Sequence, residues 1–139
     1  MKKLTVLLFP ALVLGMLTAG VAYAQTAKIL KGDIPFEFTV VGKTLPAGSY
    51  SVLSSPTIPI LLCIRGTENL ESAYFVTYAN DNSKNVTPKF VFRRYGNQYF
   101  LAEIWTGEGT SGHDLSKSSK ELQVAKSYGE PQLIYIAAK

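Results

Sequence analysis

Alternation of apolar and polar residues, interrupted at short intervals by turn-forming residues, is the feature that most limits how this chain can fold. Phe36, Phe38 and Val40 alternate with polar neighbours, and Tyr50 and Val52 do the same among serines. A period of two places such side chains on one face of an extended strand, whereas a helix needs a period near 3.6 residues. The sequence therefore predicts a chain built mainly of β-strands.

Glycine, proline and asparagine separate these strand-like runs, and the connections between them have the length of hairpin loops. The runs cover residues 36–40, 49–54, 58–65, 72–79, 89–105 and 132–137. Such spacing is typical of two packed antiparallel sheets or of one closed sheet. We therefore predict an all-β fold, an antiparallel β-sandwich or small barrel of about seven strands with one short C-terminal helix.

The predicted helix lies between residues 118 and 129. Ser118 and Glu121 have the spacing of a capping box, and Gly129 marks the end of the helical pattern. Leu122 and Ala125 fall on one stripe of this helix. We expect the helix to pack through that stripe against the apolar back of the hairpin described below, because it is too short to be stable alone.

The N-terminal segment has the pattern of a secretory signal peptide. Lys2 and Lys3 form a positive region, residues 4–19 are almost wholly apolar, and Ala22-Tyr23-Ala24 is a small-residue cleavage site. The sequence predicts a signal peptide over 1–24, a single all-β domain over 25–139, and a secreted or periplasmic location. Cleavage after Ala24 would leave no stable membrane anchor.

Charge and cysteine content argue against a nucleic-acid-binding protein and against a fold held by internal disulfides. Without Lys2 and Lys3 the chain has 12 basic and 10 acidic side chains, and this net charge of +2 is too small to predict nucleic-acid binding. Cys63 is the only cysteine, so no internal disulfide can form. It lies within an apolar run, and we expect it to be buried and inert.

The clearest hairpin is KFVFRRYGNQYFLAEIW, residues 89–105, with Gly96-Asn97 as a two-residue turn. Uninterrupted pairing from this turn places Arg94 opposite Tyr99. One face of the hairpin then carries Phe90, Phe92, Arg94, Tyr99, Leu101, Glu103 and Trp105. Both faces are largely apolar, so either both are covered or one of them is a binding surface.

We predict that the ends of this face, Arg94, Tyr99, Glu103 and Trp105, are the candidate binding residues. Arg94 is expected to lie along the Tyr99 ring, because cross-strand neighbours are ~5 Å apart. Tyrosine and tryptophan suit sugar stacking and protein interfaces. The alternative is that these aromatic side chains belong to the core.

The runs IPFEFTVVGKTLPAGSYSV and KFVFRRYGNQYFLAEIW, followed by a polar helix, resemble an uncharacterised family of small secreted bacterial proteins. The resemblance covers nearly all of the predicted mature chain. It implies export and an all-β core. It implies no activity, because the family has none that can be transferred.

Gly107, Gly109 and Gly112 spell G-x-G-x-x-G, the letters of a dinucleotide-binding turn. Such a turn needs a parallel β-α-β unit whose helix begins at the glycines. Here the preceding strand belongs to an antiparallel hairpin, and the helix begins later. We therefore predict a mobile loop that binds no nucleotide and tolerates alanine at Gly109 and Gly112.

Two other polar groups are candidate chemical sites. His113, Asp114 and Glu108 are too few to form a metal site that is already ordered before the metal binds, and we expect them in a solvated loop. Glu103 is the strongest acid–base candidate, because its predicted face is otherwise mostly aromatic. We expect it to form a structural ion pair with Arg94 or Arg65.

Together these patterns predict no metal, no cofactor and no enzymatic activity. The leading hypothesis is a secreted or periplasmic non-enzymatic β-domain with a binding or envelope-structural role. A protein or a carbohydrate of the cell envelope is its candidate partner. Two alternatives stay open: a small-ligand carrier with an apolar cavity, and a hydrolase centred on Glu103. The carrier's cavity would be lined by Phe36, Phe38, Phe92 and Leu101, and the hydrolase needs a second carboxylate near Glu103.

Overall fold

The computed structural model describes residues 27–81, 87–107 and 112–139. The predicted signal peptide and its cleavage site lie outside these residues. The described chain is mostly β with one short helix, which confirms the predicted all-β fold class. Within the same residues, no helix has both the length and the apolar character needed to cross a membrane.

The described residues form eleven strands and one helix, α1 (Ser119–Tyr128), between the last two strands. In chain order the strands are β1 (Ala27–Ile34), β2 (Phe38–Val40), β3 (Lys43–Leu45), β4 (Gly48–Ser54), β5 (Leu61–Gly66), β6 (Ser72–Val76), β7 (Tyr78–Asn80), β8 (Lys89–Tyr95), β9 (Gln98–Trp105), β10 (Gly112–Asp114) and β11 (Gln132–Ala137). The number exceeds the prediction because β1, β3 and β10 lie outside the predicted runs, and because the run 72–79 divides into β6 and β7.

The strands form two sheets. The small sheet has four strands in the order β1-β4-β5-β6, and all its pairs are antiparallel. The large sheet has seven strands and curls into a half-barrel. Its main order is β11-β8-β9-β10-β7, while β2 pairs in parallel with β9 and antiparallel with β3.

The core lies between the two sheets and is formed by alternate residues of their facing strands, as the period-two pattern predicts. From the small sheet it takes Leu30, Ile34, Tyr50, Val52, Leu62, Ile64, Ala73 and Phe75. From the large sheet it takes Phe38, Val40, Leu45, Phe90, Phe92, Leu101 and Ile104. The residues between these on each strand point to the two outer faces of the sandwich.

One continuous stretch passes from the small sheet to the large one at Thr77. This buried residue lies between β6 and β7, and both its N–H and its hydroxyl donate to the carbonyl of Ile60, at 2.9 and 3.2 Å. These bonds hold the chain while β7 turns to pair with β10. The bend therefore positions Tyr78 on the large sheet.

Helix α1 lies beside β8, and its buried residue differs from the predicted ones. Ser118 caps the helix and accepts a hydrogen bond from the N–H of Glu121 at 3.2 Å, which agrees with the predicted cap. Leu122 is 50% exposed, whereas Glu121 is 2% exposed. The expectation that Leu122 packs on the sheet is wrong, because the helix turns the face bearing Glu121 towards the partly buried Arg93.

Candidate functional site

The first half of the predicted hairpin site forms as expected. Gly96-Asn97 is the turn between β8 and β9, and Arg94 lies opposite Tyr99. The Arg94 guanidinium is 5.5 Å from the centre of the Tyr99 ring, and Phe36 stacks on that ring at 3.8 Å. Arg94 also donates to the carbonyl of Gly96 at 2.7 Å, and this hydrogen bond stabilises the turn.

The second half of the predicted site lies on the other face of the sheet. The pairing places Phe92 opposite Leu101, but Val91 lies opposite Glu103 because the register shifts between them. Ala102 is thus an extra residue in β9, a β-bulge that reverses the faces of all later residues. Glu103 and Trp105 are therefore separated from Arg94 and Tyr99, and the expectation of one shared face is wrong.

Trp105 is packed into the sheet. It is 6% exposed, and its indole Nε1 donates to the carboxylate of Glu103 at 2.7 Å. The Lys89 ammonium lies 5.9 Å from the ring centre, and a Cβ atom added to Gly112 would lie 2.8 Å from the ring atoms. The ring is thus covered by neighbouring residues and does not offer a free face to a ligand.

The bulge aligns a row of five residues across the outer face of the large sheet. Successive registers place Tyr135 opposite Val91, Val91 opposite Glu103, Glu103 opposite Asp114, and Asp114 opposite Tyr78. Directly opposite residues point to the same side of a sheet. We call this set the outer row. With strands spaced about 4.8 Å apart, it spans roughly 19 Å.

The centre of the outer row is a pair of half-buried carboxylates from neighbouring strands. Glu103 accepts the indole hydrogen bond described above, instead of forming the predicted ion pair with Arg94 or Arg65. Asp114 accepts from the amide of Asn80 with both oxygens, at 3.0 and 3.2 Å. Both carboxylates thus accept hydrogen bonds from side chains of the same sheet.

The ends of the outer row are exposed tyrosines. Tyr135 is 59% exposed and Tyr78 is 62% exposed. The Lys89 ammonium lies 5.2 Å from the centre of the Tyr135 ring, which fixes a positive charge near that end. The row therefore has an exposed tyrosine at each end, and between them lie two carboxylates and the buried Val91.

A buried polar cluster that the sequence analysis missed lies next to this row. Glu121 forms a salt bridge with Arg93 and accepts a hydrogen bond from the hydroxyl of Tyr95 at 3.1 Å. Burial, together with the Glu121 carboxylate, raises the pKa of Tyr95 above its ordinary value. The signal was present in the sequence, because Arg93 alternates with apolar residues on one face of the predicted hairpin.

His113 and Asp114 lie in strand β10, so the expectation of a solvated loop is wrong for both. His113 lies opposite Ile104 of β9, and its Nδ1 is 3.2 Å from the Thr77 hydroxyl. Burial lowers the pKa of His113, while the Asp114 carboxylate opposes that shift. Among the described residues no group of three metal-ligating side chains comes together, and Glu108 lies outside them.

The glycine motif does not have the surroundings of a dinucleotide-binding turn. β9, which precedes it, is antiparallel to both β8 and β10. Gly112 begins strand β10, and residues 108–111 lie outside the described chain. Gly112 therefore opens a strand against Trp105, whereas a phosphate-binding glycine opens a helix.

Cys63 is buried, as predicted, at 5% exposure. It lies on the outer side of the small sheet, opposite Leu53 and Tyr74 in the two neighbouring strands. Burial raises the pKa of the Cys63 thiol, and the charge of Arg65 opposes that shift only in part. A thiol held in its neutral form is a weak nucleophile, which does not favour thiol catalysis.

The region where a carrier would hold its ligand is filled with side chains. The rings of Phe36 and Phe38 contact the edge of Phe92, with centroids 5.0 and 5.4 Å apart. Phe92 and Leu101 are 0% and 3% exposed. Phe38, Phe92 and Leu101 thus belong to the packed core, and Phe36 packs against it, where the carrier hypothesis requires an open cavity.

Comparison with known proteins adds no assignment: no family model matches the chain, and neither a curated protein nor a solved structure is significantly similar to it.

Proposed function

We propose that the protein is a non-enzymatic binding domain of the cell envelope, and that it binds carbohydrate along the outer row. The observation that carries this proposal is the alignment of two exposed tyrosines, Tyr78 and Tyr135, with two fixed carboxylates between them. A secreted or periplasmic location, which the N-terminal pattern predicts, would expose such a surface to envelope polysaccharide.

The chemistry of the row suits a chain of sugars. Tyrosine rings stack on the apolar faces of sugar rings, and their hydroxyls remain available for hydrogen bonds. Carboxylates and the Asn80 amide complement sugar hydroxyls, which both donate and accept. Because the polar groups already have partners in the sheet, they need little reordering when a ligand binds.

Titration calorimetry with soluble oligosaccharides prepared from bacterial envelope polysaccharides tests this proposal. We expect Tyr78→Ala and Tyr135→Ala each to weaken binding about tenfold, the loss of one stacking contact. Tyr74→Ala is the matched control, because Tyr74 is 65% exposed but lies on the small sheet. The proposal fails if no oligosaccharide binds, or if only the control variant loses binding.

A hydrolase is the second candidate function, because Asp114 supplies the second carboxylate that this alternative requires. Opposite residues in an antiparallel pair have Cβ atoms about 4.5–5.5 Å apart. Retaining glycosidases use two carboxyl groups about 5–5.5 Å apart, a separation that side chains on neighbouring strands can reach. The hydrogen bonds that Glu103 and Asp114 accept favour a binding role over proton transfer, and this places hydrolysis second.

Mass spectrometry of the same oligosaccharides after incubation separates the two functions. A binding domain leaves the oligosaccharide intact. A hydrolase shortens it, and Glu103→Gln would then abolish cleavage while keeping affinity, because the amide preserves the size of the side chain. If the native chain cleaves the oligosaccharide and Glu103→Gln does not, the protein is a hydrolase and the binding proposal is wrong.

A further inference from the structure

Strand β6 forms one edge of the small sheet, and the direction of its free backbone groups follows from its pairing with β5. The N–H of Gly66 donates to the carbonyl of Glu71, and the N–H of Thr77 donates to that of Ile60. In an antiparallel ladder, alternate residues exchange bonds with the partner strand. The backbone groups of Ser72, Tyr74 and Val76 therefore point away from β5.

This edge has few of the features that usually prevent strands from pairing. The strand Ser72–Val76 contains no charged residue and no proline, and Tyr74 and Val76 are 65% and 48% exposed. The Lys43 ammonium covers only its start, where it donates to the carbonyl of Ser72 at 2.7 Å. No third strand lies along this edge in the part of the chain that the structure describes.

We propose that β6 pairs antiparallel with β6 of a second copy, so that two small sheets join into one continuous sheet across a two-fold axis at Tyr74. In that register Tyr74 lies opposite its own copy, and Ser72 lies opposite Val76. The outward backbone groups are evenly spaced around Tyr74, so they match those of an identical strand once Lys43 releases the carbonyl of Ser72. Symmetric pairing of identical patches is the commonest form of homodimer.

The charges near the strand are compatible with a second copy. Lys43 and Glu71 form an ion pair at the start of β6, with 3.5 Å between Nζ and Oε2. Each end of the paired strands thus carries one Lys43–Glu71 ion pair, whose charges cancel. The strand residues between these two ion pairs are uncharged. A partner strand rich in either charge would find no complement on β6, and this favours a second copy over a charged peptide.

Analytical ultracentrifugation over a range of chain concentrations tests the dimer. We expect the native chain to dimerise, and both Tyr74→Lys and Val76→Pro to weaken the dimer at least tenfold. Lysine on an edge opposes strand pairing, and proline at Val76 removes an N–H that the monomer's own ladder does not use. Tyr135→Lys is the control, since Tyr135 is similarly exposed on the other sheet.

Thermal unfolding of the variants separates loss of pairing from loss of fold. The pairing at β6 is supported if a variant stays monomeric and has the same melting temperature as the native chain diluted to its monomeric state. The proposal is overturned if the native chain is monomeric at every soluble concentration, or if Tyr74→Lys and Tyr135→Lys dimerise as well as the native chain.

A disulfide provides a second measurement that fixes the register. In the double variant Cys63→Ser, Tyr74→Cys, the two introduced cysteines would have Cα atoms about 5.5 Å apart, within the range that a disulfide spans. We expect a covalent dimer under mild oxidation. Leu70→Cys in the same background is the control, since Leu70 is 80% exposed and lies before β6. Equal cross-linking at both positions would contradict the specific register.

Discussion

Arg93 of β8 and Glu121 of α1 form an ion pair that joins the helix to the large sheet. Their side chains are 14% and 2% exposed. Arg93 also donates to the carbonyl of Leu115 at 3.4 Å, and the Tyr95 hydroxyl donates a further hydrogen bond to Glu121. The helix is thus held by a polar contact, although an apolar stripe is the usual means of docking a helix on a sheet.

Removing one partner of this pair is expected to destabilise the fold. Glu121→Gln leaves the mostly buried Arg93 guanidinium without a counter-charge, and we expect a loss of about 3–5 kcal/mol in the free energy of unfolding. Urea denaturation of the native and variant chains measures it. Glu71→Gln is the matched control, because it breaks the exposed pair with Lys43 and should cost less than about 1 kcal/mol. Equal losses would show that Glu121 carries no special structural role.

The fold class was predictable because it depends on a repeating pattern. The alternation at Phe38–Val40, Tyr50–Val52 and 89–101 places the correct residues in the core, and Ser118 caps the helix as its spacing predicts. Strands β1 and β10 carry weaker patterns. Gly112-His113-Asp114 has low strand propensity, and its extended form depends on neighbours on both sides, β9 and β7.

The candidate site was only partly predictable, because one inserted residue decides it. Pairing counted outward from Gly96-Asn97 is correct as far as Phe92 and Leu101, and the bulge at Ala102 shifts every later position. No residue type in Leu101-Ala102-Glu103 marks a bulge. Asp114 lies opposite Glu103, and Tyr78 lies opposite Asp114. Both belong to strands outside the hairpin, so the pattern of the hairpin alone cannot identify them.

Trp105 is expected to act as a core residue. Trp105→Ala removes a ring that is 6% exposed and should lower the free energy of unfolding by about 3–5 kcal/mol. Denaturant titration measures the loss. Tyr135→Ala, which truncates an exposed ring on the same face, should change stability by less than about 0.5 kcal/mol. A small effect of Trp105→Ala, with loss of ligand binding, would restore the earlier prediction of Trp105 as a binding residue.

Gly112 is expected to be intolerant of alanine, contrary to the expectation from its place in a glycine-rich segment. The added methyl group would lie 2.8 Å from atoms of the Trp105 ring, and we expect Gly112→Ala to cost about 1–3 kcal/mol. A double-mutant cycle with Trp105→Leu checks the cause by denaturation. If the clash is responsible, the cost of Gly112→Ala falls once the indole is removed.

Cys63 is expected to react slowly with a thiol reagent in the native protein and rapidly after unfolding. Burial limits access to the sulfur and raises the pKa of its thiol, so little thiolate forms at neutral pH. The rate of labelling by a chromogenic disulfide reports both effects. Leu70→Cys in a Cys63→Ser background provides an exposed thiol for comparison. Labelling of Cys63 at the rate of that exposed thiol would contradict its buried position.

His113 is expected to make the protein less stable as the pH falls from about 7.5 to about 5.5. Because burial lowers the pKa of His113 in the folded chain, the unfolded chain takes up a proton first, near its ordinary pKa of about 6.5. Above that pH the imidazole is neutral in both states, and its titration does not affect stability. Below it, protonation favours the unfolded chain until the folded imidazole is also protonated.

Urea denaturation at the two pH values measures this loss in the native chain and in His113→Gln. Glutamine does not titrate, and its amide can still form a hydrogen bond with the Thr77 hydroxyl, which lies 3.2 Å from Nδ1 in the native protein. The variant should therefore keep most of its stability at the lower pH. Since carboxylates titrate mainly below about pH 5, an equal loss in the variant would mean that another group, and not His113, is responsible for the pH dependence.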